Sequence, residues 1–175
     1  MLPGYQIRLG SRLERARLVK FMQLTYQELY PEQDFAHLAQ TVEQYFSSET
    51  PLWWVEEISP QNSLNQELNG TPMLPGSRCS ELPVSVPAAC LWLGIAVDQV
   101  TGARYPHIFL LYVEPTHRRR GVGSALMHHA ERWAQSKGYA QIGLQVFQQN
   151  QPALQLYAKL GYQLQAISMM KVLGG

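Results

Sequence analysis

Arg118-Arg119-Arg120-Gly121-Val122-Gly123-Ser124 is the stretch that organises the chain. An apolar, strand-like run from His107 to Val113 precedes it, and a helix-like run from Val122 to Trp133 follows. A strand, a glycine-punctuated turn and a helix together aim unpaired backbone N–H groups at one point, because the first turn of a helix has no internal acceptors for them. The helix dipole adds partial positive charge there, and such a terminus holds phosphate well. The glycines allow close backbone approach, and three arginines add full charge. The turn therefore reads as a pyrophosphate site formed by Arg118, Arg119, Arg120, Gly121, Val122, Gly123 and Ser124. It lacks the G-x-G-x-x-G spacing of a dinucleotide fold and the G-K-[ST] of a P-loop. The net charge of +1, without a second basic cluster, argues against a nucleic-acid partner.

A second motif stands downstream, where Asn150-Gln151-Pro152-Ala153-Leu154-Gln155-Leu156-Tyr157 leads into Lys159-Leu160-Gly161-Tyr162. Asn150 suits an N-cap and Pro152 a first helical turn, while Gly161 suits the stop. The segment reads as a short helix with Ala153, Leu156, Tyr157 and Leu160 along one side.

With both motifs quoted, the chain resembles the GNAT-type, acetyl-CoA-dependent N-acetyltransferases. Arg118, Gly121 and Gly123 match the family's [QR]-x-x-G-x-[GA] loop. Asn150, Leu156-Tyr157 and Gly161-Tyr162 match its second motif. The resemblance covers roughly residues 105–173. It implies an α+β fold with a mixed, twisted central sheet flanked by helices, in which the strands ending at Val113 and Phe147 splay to admit the cofactor arm. It also implies acetyl-CoA as cosubstrate, with Asn150 and Tyr157 beside it, and transfer of the acetyl group to a primary amine in a ternary complex. By the same resemblance the backbone N–H of Val113 polarises the thioester carbonyl, and Tyr157 donates to the departing sulfur. A phenol of pKa about 10 is protonated at neutral pH and suits that role.

The base is the open position. An aliphatic ammonium of pKa about 10.4 needs deprotonation more than a chain-terminal amine of about 8 does. His107 is one candidate, since an imidazole is matched to neutral pH. Glu114, before Pro115 at the mouth of the strand, is the other. Gln145 stands where some relatives carry a glutamate base, and an amide cannot take a proton. Tyr26, Tyr30, Phe35, Trp53 and Trp54 are candidate acceptor-lining aromatics. His128 and His129 read as helix surface and flank.

The 175 residues suit a single domain spanning 1–175. Cys79 and Cys90 have neither metal-ligand nor C-x-x-C spacing, and no metal site is expected. The absence of a signal-like start or a membrane-length apolar run points to a cytoplasmic protein without a membrane partner. A monomer or homodimer is expected. The acceptor, a small molecule or a protein amine, is left open, as is a second reading in which the chain binds CoA thioesters without turnover.

Strands are expected at Tyr5 to Leu9, Leu52 to Ile58, Ala88 to Val97, His107 to Glu114, Gln141 to Phe147, Tyr162 to Leu164 and Ile167 to Val172. Helices are expected after Ser11, after Asp34, after Gly121 and after Asn150. The adjacent Trp53 and Trp54 should face opposite sides of their strand. Residues 59–87, rich in proline, form a long insertion loop.

Overall fold

The computed structural model describes residues 2–47, 49–58 and 86–173; most of the expected proline-rich loop, with Cys79, lies outside them. Contacts divide the chain into two compact units, residues 1–145 and 146–175.

The first unit is built on a five-stranded mixed sheet in the order β1 (Tyr5–Leu9), β2 (Leu52–Glu57), β3 (Ala89–Val97), β4 (Arg104–Val113) and β5 (Gly143–Leu144). The first four strands pair antiparallel, and β5 joins β4 in parallel. Helix α1 (Arg15–Gln27) and helix α2 (Leu38–Tyr45) precede β2, and helix α3 (Val122–Ser136) crosses from β4 to β5. The unit is thus α+β with a mixed sheet.

Strand alternation sorts the side chains onto two faces. On one, Trp54, Cys90, Trp92, Leu110 and Tyr112 meet Leu18, Phe21 and Met22 of α1 and Val42 of α2 in one buried cluster. On the other, α3 buries Val122, Leu126, Met127, Ala130 and Ala134. The two neighbouring tryptophans divide as expected. Trp54 meets the Phe21 ring edge-on at 5.2 Å, and Trp53 meets His129 at 4.9 Å and Trp133 at 5.9 Å.

Four expected elements need correction. Helix α2 begins at Leu38, not after Asp34, because the Asp34 carboxylate accepts the Ala36 N–H at 3.0 Å and holds a turn in place of the helix. The strand expected over Gln141 to Phe147 is reduced to Gly143–Leu144, which alone pairs with β4. No strand occurs at Tyr162 to Leu164 or Ile167 to Val172. Leu164, Ile167, Met169, Met170 and Val172 are exposed there. An apolar pattern becomes a strand only when a ladder partner receives it.

β4 also starts earlier than expected, at Arg104, and takes Pro106 into the ladder opposite Ile95. The turn before it is held by Asp98, whose carboxylate accepts the N–H groups of Val100 and Thr101.

The second unit contains helix α4 (Gln151–Lys159). The Asn150 side chain caps it by accepting the Ala153 N–H at 3.3 Å, and Gly161 ends it in the left-handed region at φ +86°.

Candidate functional site

β4 carries most of the site of the first unit, and its two ends differ. Near its start, His107 lies opposite Gly94 of β3 and Gly143 of β5. A β-bulge follows, with Phe109 as the extra residue between the Trp92–Leu110 and Leu93–Ile108 pairs. The bulge turns the Phe109 ring over Gly94, where a Cβ would come within 1.8 Å of it. Phe109 stacks on Trp92 at 4.9 Å and meets His107 at 5.4 Å and Tyr45 at 5.4 Å. His107 is half-buried in this aromatic wall. Burial lowers its pKa below the usual imidazole value, and its Nδ1 has no hydrogen-bond partner. Burial thus favours the neutral ring, and its Nδ1 is enclosed without a hydrogen-bond partner.

Beyond Ile108 the pairing with β5 ends, so among the described residues the last residues of β4 have a ladder partner on the β3 side only. The Glu114 N–H donates to the Ala88 carbonyl at 2.9 Å, which fixes the alternation of the β3–β4 ladder. Counting back from Glu114, the N–H groups of Val113 and Leu111 turn away from β3, to the open side. Val113, the donor expected from the resemblance, is one of the two residues whose N–H faces that side. Leu111 was missed, because only ladder parity identifies it and parity requires a known register. A rise of about 3.3 Å per residue puts Val113 roughly 20 Å from His107 along the strand, and Leu111 roughly 13 Å.

The glycine turn follows at once. Gly121 is the N-cap of α3 with φ +84°, and Arg119 is left-handed too, at φ +62°. Arg119 is the one non-glycine residue with positive φ among the described residues. Left-handed residues in succession with right-handed ones turn consecutive N–H groups into an anion-binding concavity. The exposed Arg119 holds a conformation that costs roughly 1–2 kcal/mol for an L-residue. Val122 is buried and anchors the helix start.

The arginines divide their work. Arg118 donates through Nε to the Val113 carbonyl at 2.8 Å, pairs through Nη2 with Glu28, and lies over the Tyr112 ring at 5.8 Å. Arg120 donates to the Tyr5 hydroxyl at 3.3 Å, and that hydroxyl is 2.8 Å from Nδ1 of His117. Arg119 has none of these ties. Glu114 is half-buried at the strand mouth, and its charge helps hold the Tyr112 phenol in its protonated form, after the larger effect of burial.

The aromatic candidates for an acceptor wall fare differently. Trp53, Trp54 and Phe35 are buried in the core. Tyr26 stacks on Phe35 at 5.8 Å. The half-exposed wall on β4 is made instead by Tyr105, His107 and Phe109. His128 is exposed and pairs with Glu131, and His129 packs on Trp53.

In the second unit, Tyr157 lies in α4 and meets the Tyr162 ring at 5.9 Å. Burial pushes its phenol up to about 12. Asn150 is engaged as the cap of the same helix.

The first unit thus combines a mixed sheet, a strand whose pairing with β5 ends midway, a left-handed glycine turn and a helix N-terminus. Residues 83–162 match the model of the GNAT acetyltransferase family. Two streptothricin acetyltransferases are similar over short stretches. The one from Streptomyces lavendulae is 38% identical over 50 residues and the one from Escherichia coli 39% identical over 59. These matches span 29% and 34% of this chain, and only 26% and 34% of those proteins. The fold matches an aminoglycoside 6'-N-acetyltransferase of Acinetobacter baumannii at 17% identity and TM-score 0.61, over 98% of this chain and all of that one. It also matches an acetyltransferase of Clostridium acetobutylicum solved with acetyl-CoA, at 15% identity and TM-score 0.66, over 96% of each chain.

Proposed function

We propose that this protein transfers the acetyl group of acetyl-CoA to a primary amine. The single observation that carries the reading is the end of β4. Its Leu111 and Val113 N–H groups face an open side, and a left-handed turn and helix N-terminus follow directly. Those two features answer the two needs of a CoA thioester, a donor for the carbonyl oxygen and a cradle for the pyrophosphate.

In this reading the backbone of Arg119 to Ser124 holds the pyrophosphate, helped by the charges of Arg119 and Arg120. Arg118 spends its N–H on the Pro115 carbonyl and braces Val113 through its guanidinium. The thioester oxygen takes a donor from the open row, Val113 as the family resemblance implies or Leu111, which lies nearer His107. The neutral amine attacks the carbonyl carbon, a C–N bond forms, and the C–S bond then breaks. The proton lost by the amine passes to His107 through water, since the strand spacing excludes direct contact.

The family resemblance assigns Tyr157 the role of hydrogen-bond donor to the leaving sulfur. A phenol raised to about 12 does not surrender its proton to a thiolate whose acid has pKa about 8.5, so it stabilises the sulfur without full transfer. Tyr157→Phe should lower kcat by roughly ten- to a thousandfold and leave acetyl-CoA affinity nearly unchanged. A Phe variant with full kcat in a step limited by chemistry would return Tyr157 to a packing role.

The acceptor is an amine of a small molecule or of a protein. The relatives named for streptothricin and aminoglycosides place antibiotic amines among the first to be tested. The deciding experiment is release of free CoA thiol across antibiotic amines, polyamines, amino acids, lysine peptides and peptide N-termini. Tight acetyl-CoA binding without thiol release from any of them would replace the enzyme by a binding module.

A further inference from the structure

We propose that Glu28 is a positioning residue for acetyl transfer: by holding the Arg118 guanidinium it fixes the end of β4 with the Val113 carbonyl capped and the N–H row open. This deepens the acetyl-transfer reading and rests on it.

Three contacts meet on one guanidinium. Nε of Arg118 donates to the Val113 carbonyl at 2.8 Å, Nη2 pairs with Glu28, and the plane lies 5.8 Å from the Tyr112 ring. The peptide between Val113 and Glu114 is therefore tied on both sides, its carbonyl by Arg118 and its N–H by the Ala88 carbonyl. An unpaired strand side normally offers donors and acceptors together, and a bound acyl oxygen needs donors only. Capping the Val113 carbonyl with a cation leaves the Val113 N–H beside it as the available partner. A donor that is already aimed costs no reorganisation during the reaction.

Glu28 is poorly explained by the stability of its own helix. It is the C-cap of α1, where the dipole presents negative charge and a carboxylate is unfavourable. Its pairing with Arg118 offsets that and connects α1 to a residue 90 positions away. Both side chains are about 40% exposed, so the pair contributes little to folding. Its value lies in direction, because a guanidinium carries donors in a fixed fork and can serve a carbonyl and a carboxylate together.

The test is steady-state kinetics of Glu28→Ala, Glu28→Gln, Arg118→Ala and the double variant Glu28→Ala/Arg118→Ala, each with its thermal midpoint. Glu28→Ala should lower kcat at saturating acetyl-CoA by about tenfold, within the range of coupled contacts, with KM for acetyl-CoA within about twofold and the midpoint unchanged. Glu28→Gln, which keeps an acceptor oxygen, should recover most of the loss. The double variant should be no slower than Arg118→Ala. An unchanged kcat in Glu28→Ala, a loss confined to KM, or additive losses in the double variant would each overturn the inference while wild-type turnover upheld acetyl transfer. Wild-type protein that releases no thiol with any amine would overturn the transfer reading, and this inference with it.

Discussion

The two ends of β4 solve opposite problems. At His107 the strand is paired on both sides, bulged at Phe109 and walled with aromatic rings, and a ring nitrogen is enclosed without a hydrogen-bond partner. At Val113 the strand is paired on one side only, and the exposed polar edge is managed by a guanidinium. One end tunes a side chain by burial; the other tunes the backbone by withholding a partner. On the proposed reading, the difference teaches that a single strand can separate proton handling from carbonyl activation by changing its neighbours along its length.

The largest expected effect tests the turn that follows the Val113 end. Gly121 has φ +84°, and among the described residues a Cβ there would find only the Leu2 side chain, at 3.5 Å. Space is therefore available, and backbone conformation is what a side chain would disturb. Gly121→Val should leave the core intact and weaken acetyl-CoA binding at least a hundredfold, about 2.8 kcal/mol. Titration calorimetry giving unchanged affinity in a folded variant would break the assignment of the turn.

The next effect belongs to the His107 end. His107→Gln should cost about a hundredfold in kcat/KM, at the low end for a lost base. Burial lowers the His107 pKa, and the neutral ring is the active form, so wild-type kcat/KM should rise with pH through a value below about 6.5. The variant should lose that limb. Repeating the profile with amines of different basicity separates the two sources, since an enzyme group stays fixed and a substrate group moves. The sign for stability follows from the same shift. The unfolded chain binds a proton that the fold resists, so the His107 contribution is full above about pH 6.5 and falls as the pH drops below it. A limb that persists in His107→Gln would assign the proton to Glu114 or to water alone.

The smallest of the three sharpens the packing side of the contrast. Gly94→Ala puts a methyl 1.8 Å from the Phe109 ring, which must swing away. Overpacking of this kind costs about 1–3 kcal/mol. Chemical denaturation should show that loss, with acetyl-CoA affinity preserved because the turn is untouched. A loss of affinity as large as that of Gly121→Val would show that the two ends are not independent.

What could be read in advance divides along the same line. The turn, the start of α3 and the cap at Asn150 were legible, because glycine at positive φ and asparagine at an N-cap act on their immediate neighbours. β1 to β4 were legible to within a few residues from the alternation of buried and exposed positions. Asp34 misled because its carboxylate serves either a helix cap or a local turn, and the Ala36 N–H decides between them. The apolar positions from Tyr162 to Val172 misled because a strand depends on a partner elsewhere in the chain. Glu28 was invisible for the same reason, its partner being 90 residues distant. Leu111 needed the register of β3 against β4, and the aromatic wall over Gly94 needed the bulge, which no local pattern announces.

Arg119 draws selection in two directions. At φ +62° it pays for its place with a conformation that asparagine would adopt more readily. A drift to asparagine would raise the melting temperature by an amount worth about 1 kcal/mol and remove a cation from the turn, which acetyl-CoA titration would register as weaker affinity. Screens that reward heat resistance alone should therefore discard this arginine early, and screens that reward turnover at scarce cosubstrate should restore it.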